Sequence, residues 1–344
     1  MRGLIFLSVL LLATTGSFSE ERTENPSEPS RFTIYGTEYE KYHWLTDRDQ
    51  RKTVLDFAVR SRSPELDQFI LSSVLEYTAS NTIYLEEKQK NYLLFAASRS
   101  GNVDTLAKVI ELYSFTAKDL NNVNLLPQSL AYGSVSIVQY LFDTYPSQLD
   151  TTPFFNSRND ELRRYFENIS ALQLAACHGN TDVVRYLIEE RKMDPNETNR
   201  YGHDIFDYAF FGWGSAETVA YLASKRDIDL TKKDDLGRTP LLKAASKGNT
   251  AIIKYLIETQ HADPYVTDNE EQNIFQLVRG TALRYLIDKY DPINGAAAKK
   301  ALDDLDQAYD QLLSRPVEER EDANNQLWLA QKKLDEAVAQ LSFR

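Results

Sequence analysis

The chain has 344 residues, enough for two average domains or one extended repeat array. It carries 39 Lys and Arg against 51 Asp and Glu, a formal net charge of -12, and a surface that acidic repels phosphate backbones and argues against a general nucleic-acid binder. The single cysteine, Cys177, excludes an intramolecular disulfide framework and any zinc site built on several thiolates. Glycine is scarce at 13 residues, about 4% against the usual figure near 7%, which argues against glycine-rich phosphate loops and linker-rich architecture.

At the N-terminus, Arg2 precedes an apolar run from Leu4 to Ala13, followed by the small residues Thr14 to Ser19. This three-part pattern predicts a secretory signal peptide over 1–19, cleaved after Ser19. The apolar run is about half the length of a membrane-spanning helix, so no stable anchor is expected after cleavage. Residues 20–48 open with Glu, Ser, Pro and Thr without apolar periodicity and read as a disordered or irregular lead-in. The expected location is therefore outside the cytoplasm, secreted or periplasmic. Asn168-Ile-Ser and Asn196-Glu-Thr are glycosylation sequons if the host is eukaryotic.

Internal similarity dominates the middle of the chain. Ser170-Ala-Leu-Gln-Leu-Ala-Ala176, Asp204-Ile-Phe-Asp-Tyr-Ala-Phe210 and Thr239-Pro-Leu-Leu-Lys-Ala-Ala245 align, and Ala175, Ala209, Ala244 and Val278 are 34, 35 and 34 residues apart. The first and third segments continue into Gly179-Asn180 and Gly248-Asn249, then into Tyr186-Leu-Ile188 and Tyr255-Leu-Ile257. Weaker copies begin at Thr53, Leu94, Ser129 and Asn273. The stripe Val183, Val184, Leu187, Ile188 is the core-facing side of a helix. The glycines fall where a first helix stops and the chain reverses.

These motifs resemble the ankyrin-repeat family, whose period is about 33 and whose hallmark run is Thr-Pro-Leu-His-x-Ala. The resemblance implies an all-α ankyrin-repeat solenoid of about seven helix pairs over 49–290, with hairpin tips at Asp194-Pro-Asn196, Gly202 and Asp263-Pro264. Two short helices cannot bury their apolar faces alone, so each pair is expected to stack on the next. Two irregularities interrupt the pattern. An insertion over 146–167 carries Phe154, Phe155 and a short predicted helix from Asn159 to Glu167, and Phe210-Phe-Gly-Trp213-Gly replaces the plain Gly-Asn turn. Residues 291–344 leave the repeat and read as a helical hairpin, with Leu302, Leu305, Tyr309 and Leu312 on one helix and Leu327, Leu334, Val338 and Leu341 on the other.

Candidate chemistry is sparse. No nucleophile elbow, Walker loop or dinucleotide fingerprint occurs, and the four histidines show no metal-ligand spacing. Asp227-Ile-Asp229 lacks the glycine and terminal glutamate of a calcium loop and reads as a hairpin tip. Cys177 and His178 adjoin on a repeat helix and read as packing residues; Asp303, Asp304 and Asp306 read as a solvated helix face. No catalytic residue, metal or cofactor is expected.

What remains is recognition. The resemblance implies docking of a partner protein on the concave face and irregular loops, with candidate contacts at Arg200, Tyr201, Phe211, Trp213, Lys243, Lys247, Phe154 and Phe155. Trp and Tyr are enriched in interface hot spots; filling of a widened gap between repeats is the competing role for Phe211, Trp213, Phe154 and Phe155. A different class of function is self-association through the C-terminal hairpin, with the array mainly structural.

Overall fold

The structure, a computed structural model, describes residues 19–21, 31–34, 37–40, 42–61, 63–146, 148–149, 169–199, 201–210, 214–290, 292–314 and 320–342. The apolar leader, Phe154, Phe155, the helix expected over 159–167, Arg200, Phe211 and Trp213 lie outside the described residues. The chain divides into two compact units, residues 1–158 and 159–344.

Unit 1 opens with an antiparallel sheet of three short strands, β1 (Ser19–Glu21), β2 (Arg31–Ile34) and β3 (Thr37–Glu40), in that order. Phe32 pairs with Tyr39 and Ile34 with Thr37 across β2 and β3. This stretch reads as irregular in the sequence because four-residue strands give too little alternation to register, although Phe, Thr, Ile and Tyr are strand-favouring residues. After the one-turn helix α1 (His43–Thr46) come three helix pairs: α2 (Arg48–Ser61) with α3 (Pro64–Thr78), α4 (Glu87–Arg99) with α5 (Val103–Leu112), and α7 (Leu125–Tyr132) with α8 (Val135–Thr144). A short α6 (Ala117–Asn122) bridges the second and third pairs. First helices pack on first helices and second on second, α2 on α4 on α7 and α3 on α5 on α8. Their shared core is apolar, with Val54, Leu55, Leu66, Ile70, Leu93, Leu106, Leu130, Ile137 and Leu141 fully buried.

Unit 2 contains four more pairs: α9 (Ala171–Cys177) with α10 (Thr181–Glu189), α11 (Ile205–Ala209) with α12 (Ala216–Ala223), α13 (Pro240–Ser246) with α14 (Thr250–Glu258), and α15 (Ile274–Leu277) with α16 (Gly280–Tyr290). Seven helix pairs are therefore present among the described residues, one for each copy read in the sequence. Every first helix in this unit starts on a residue whose side chain accepts from the next turn: Ser170, Asp204, Thr239 and Asn273. Such caps stabilise a helix by about 1 kcal/mol each, which matters in helices too short to be stable alone.

Successive second helices are tied by a recurring polar clamp. The Tyr221 hydroxyl donates to Glu189 at 3.0 Å while Arg185 and Lys225 lie over its ring. The Tyr285 hydroxyl donates to Glu258 at 2.8 Å while Lys254 and Lys289 lie over its ring. Hydroxyl pairs add to this, Thr181 with Thr218 at 2.8 Å and Thr250 with Thr281 at 3.0 Å. The array ends on a hairpin of α17 (Gly295–Ser314) and α18 (Arg320–Ala339), which covers α15 and α16 with Ala298, Leu302, Leu305, Leu334 and Val338 buried. Of the carboxylates read as a solvated face, Asp303 and Asp306 both hold Arg284 of α16.

The hairpin tips repeat in detail. Asn199, Asp234 and Asp268 each accept from two backbone amides further along the turn, such as Leu236 and Arg238 on Asp234 at 3.0 and 2.9 Å. Gly237 holds φ +74°, and a Cβ there would come within 2.9 Å of the Asn269 backbone nitrogen of the next tip. Gly248 holds φ +69° in the turn after α13, with open space where its Cβ would be. Gly248→Ala is therefore expected to lose only the left-handed backbone preference, about 1 kcal/mol, and Gly237→Ala distinctly more. Urea unfolding of both variants checks this order; equal losses would show that the tips do not press on each other.

Candidate functional site

The polar centre of unit 2 lies under the tip that follows α10. Asp204 caps α11, its Oδ1 accepting from the Phe206 and Asp207 amides at 2.9 and 3.1 Å, and Asp207 Oδ2 accepts from the Asp204 amide at 2.9 Å. This closes a capping box built from two carboxylates. Asp207 is only 5% exposed. Its two oxygens hold Lys243 of α13 at 2.5 Å and Lys232 of the next tip at 2.7 Å. Lys232 also lies 3.2 Å from Asp204, and Arg226 joins Asp204 at 3.5 Å and the Pro195 carbonyl at 3.3 Å. Three cations and two carboxylates thus bind α11 to the repeats on both sides.

Burial acts to raise the Asp207 carboxyl, but the Lys243 and Lys232 ammoniums outweigh it and hold it below the ordinary carboxylate range. For Lys232 burial acts downward, and the bonds to Asp207 and Asp204 leave it above the ordinary lysine value. His203 sits beside this group, its ring edge-on to Tyr208 and tilted toward Tyr201, and burial lowers its pKa. Asn199 completes the base of the tip by donating to the Tyr208 hydroxyl at 2.9 Å.

Above this base Tyr201 is 43% exposed at the tip, and Leu236 is exposed at the equivalent place on the following tip, beside exposed Asp235. Of the contacts expected from the sequence, Tyr201 is surface-exposed at a tip, as is Lys247 at the end of α13. Lys243 corrects the expectation that it projects into solvent: its side chain is 13% exposed and its ammonium is engaged by Asp207. Arg200, Phe211, Trp213, Phe154 and Phe155 lie outside the described residues. Asp207 and Lys232 were not singled out in the sequence; the Asp-x-x-Asp spacing of a capping box at 204–207 was the available signal for the first of them.

The remaining chemistry-bearing residues serve packing. Cys177 is buried, and burial pushes its thiol up to about 12, so it has no thiolate character. His178 ends α9 with Nδ1 3.1 Å from the Leu174 carbonyl. Asp229 accepts from Thr231 and Lys232 within its own turn. Among the described residues no group of three His, Cys, Asp or Glu is placed to hold a metal ion, and no helix is long and apolar enough to cross a membrane.

Residues 153–234 match the family model for ankyrin repeats in three copies, and residues 236–269 match the model for a single ankyrin repeat. Over these residues the chain is similar to ankyrin repeats. Ankyrin repeats generally mediate protein–protein interaction and are typically non-catalytic scaffolds. Where the family's hallmark run has His, these repeats carry Gln173, Asp207 and Leu242. Of these three positions only Asp207 supplies a carboxylate, and the ion cluster under the Tyr201 tip is built on it.

Removing one member of a buried ion group leaves the others uncompensated. Asp207→Asn, which keeps the shape and removes the charge, is expected to lower unfolding free energy at neutral pH by about 3 kcal/mol. Because the folded-state pKa of Asp207 is depressed, its contribution is complete above the unfolded carboxylate value near 4 and is lost as pH falls through the lower folded value. The gap between parent and variant should therefore close in acid, measured by chemical unfolding at several pH values; a gap that persists unchanged at low pH would rule out this assignment.

Proposed function

We propose that the chain is an exported, non-catalytic ankyrin-repeat scaffold that binds a partner protein through its hairpin tips and the turn after α11. One observation carries this reading: Tyr201 and Leu236 stand exposed on consecutive tips whose bases are fixed by the Asn199–Tyr208 bond and the Asp207 ion group. A rigid base lets exposed apolar side chains dock without losing much conformational freedom, which raises affinity for a given contact area. Export rests on the apolar leader and the small residues ahead of residue 20. Affinity capture from the native compartment identifies the partner. Tyr201→Ala and Trp213→Ala are each expected to weaken its binding by more than about 1 kcal/mol. Unchanged affinity in both folded variants would remove these residues from the interface.

A second reading is favoured by one specific feature. Trp328 is 64% exposed on α18, with Leu329 beside it, and Tyr309 and Leu313 are exposed on α17. Large exposed apolar side chains on the two helices of one hairpin mark an interaction surface, and a second copy of the chain would cover them by self-association. Light scattering of the full chain decides between the readings. A dimer dispersed by Trp328→Asp favours self-association, whereas a monomer at all concentrations excludes it and leaves the partner-binding scaffold.

A further inference from the structure

Helix α2 begins with three cations within one and a half turns, Arg48, Arg51 and Lys52. They border a cavity of 350 Å³ whose opposite side is formed by Tyr84, Glu86 and Gln89. Asp47 already caps the helix through the Gln50 amide at 2.8 Å, so the donors facing the cavity are side chains and not backbone amides. Lys52 makes no ion pair or hydrogen bond among the described residues. Arg48 comes only within 3.9 Å of Glu86, with 85% of its side chain in solvent. Arg51 places one guanidinium nitrogen on the Leu45 carbonyl and leaves the others unengaged.

The floor carries the decisive group. Gln89 is only 7% exposed; its Oε1 accepts from the Glu86 amide at 3.0 Å, and its amide nitrogen has no partner among the described residues. That nitrogen reaches the solvent of the cavity, so an incoming oxygen meets a donor that the fold leaves unused. At the rim Tyr84 is 82% exposed, with ring and hydroxyl both accessible. The lining also includes Asp49 and Glu86, so three cations face two carboxylates. A net surplus of one positive charge matches a monoanion.

We propose that this cleft docks an acidic segment of a partner protein, one carboxylate meeting Lys52, Arg51 and the Gln89 amide while the adjoining chain lies on Tyr84. The proposal rests on the partner-binding reading and adds a second contact, on unit 1, with its own chemistry. A peptide fits better than a small metabolite because the walls are long, solvated side chains. Small-ligand pockets enclose most of their ligand, and this cleft does not, so its occupant must be held elsewhere as well. A phosphate dianion would leave an excess negative charge among Asp49 and Glu86.

The test uses the full chain and a fluorescein-labelled poly-glutamate peptide read by fluorescence anisotropy at low and physiological salt, and so needs no knowledge of the partner. Binding is expected to weaken as salt rises. Lys52→Glu and Tyr84→Ala, both at exposed positions, should each weaken it at least about fivefold, with thermal melts confirming that both variants fold. Absence of binding, equal binding of poly-lysine, or indifference to both substitutions would overturn the proposal. Displacement by inorganic phosphate at lower concentration than by free glutamate would overturn the carboxylate assignment. Loss of peptide binding with partner capture through Tyr201 intact, or the reverse, separates failure of this site from failure of the scaffold reading.

Discussion

A helix of five to nine residues, the length of most first and second helices in unit 2, is not stable in water by itself. Such a helix survives only if its apolar stripe is covered, and a single partner helix covers one side of it. The neighbouring repeat must cover the other. Ala175, Ala209 and Ala244 are fully buried because first helices approach closely at those points, while Val183, Val219 and Ile253 fill the space between second helices. Each fully buried aliphatic side chain contributes about 1.5–3 kcal/mol, and most of that contribution exists only when the next repeat is in place. The C-terminal hairpin follows from the same constraint, since the last pair would otherwise leave Ile274, Phe275, Leu283 and Leu286 open to water.

Apolar burial sets that repeats stack, but it does not set which neighbour belongs where. The polar contacts between repeats do so here, because each needs a specific partner at a specific distance. Asn249 caps its own helix and also donates to the Gly214 carbonyl of the preceding repeat at 2.6 Å. Asn269 donates its backbone amide to the Leu236 carbonyl at 3.0 Å and its side-chain amide to the Asp235 carbonyl at 3.1 Å, joining two tips. In unit 1 the buried Asp67 is held by Arg99 through two hydrogen bonds and by the Tyr92 hydroxyl. Asp207 does the same for unit 2. A displaced register would leave these groups buried without partners, which is far less favourable than a displaced leucine.

The periodicity of alanine, of Tyr-Leu-Ile and of Gly-Asn placed all seven helix pairs, because those residues answer to backbone geometry that recurs every repeat. Charge partners were harder to see. Lys243 carried over from family geometry as an exposed position, yet its nearest carboxylate, Asp207, belongs to the preceding repeat 36 residues earlier. Lys225 and Glu189 are also 36 apart, Arg99 and Asp67 are 32, and Lys289 and Glu258 are 31. Opposite charges separated by about one period are therefore the signal that a repeat sequence offers for its internal ion pairs. The strands over 31–40 gave no comparable signal, since four residues of alternation do not distinguish a strand from irregular chain. The Trp328 group was obscured for another reason: a helical stripe predicts which residues face a neighbour, and Leu313, Trp328 and Leu329 fall beside it, while Tyr309, read on the stripe, is 47% exposed.

The net charge of -12 averages over two very different arrangements of cations. In unit 2, Arg226, Lys232 and Lys243 are held by carboxylates beneath the tips, so a partner arriving at Tyr201 and Leu236 displaces water mainly from apolar surface. Binding there would follow contact area and depend weakly on salt. In unit 1, Arg48, Arg51 and Lys52 keep most of their donors in water beside the solvent-accessible Gln89 amide. An anion meeting them exchanges water for charged donors, and its binding would fall as salt rises. A single partner touching both units would show both signatures at once, with Tyr201 setting the part of the affinity that salt leaves unchanged and Lys52 the part that salt removes.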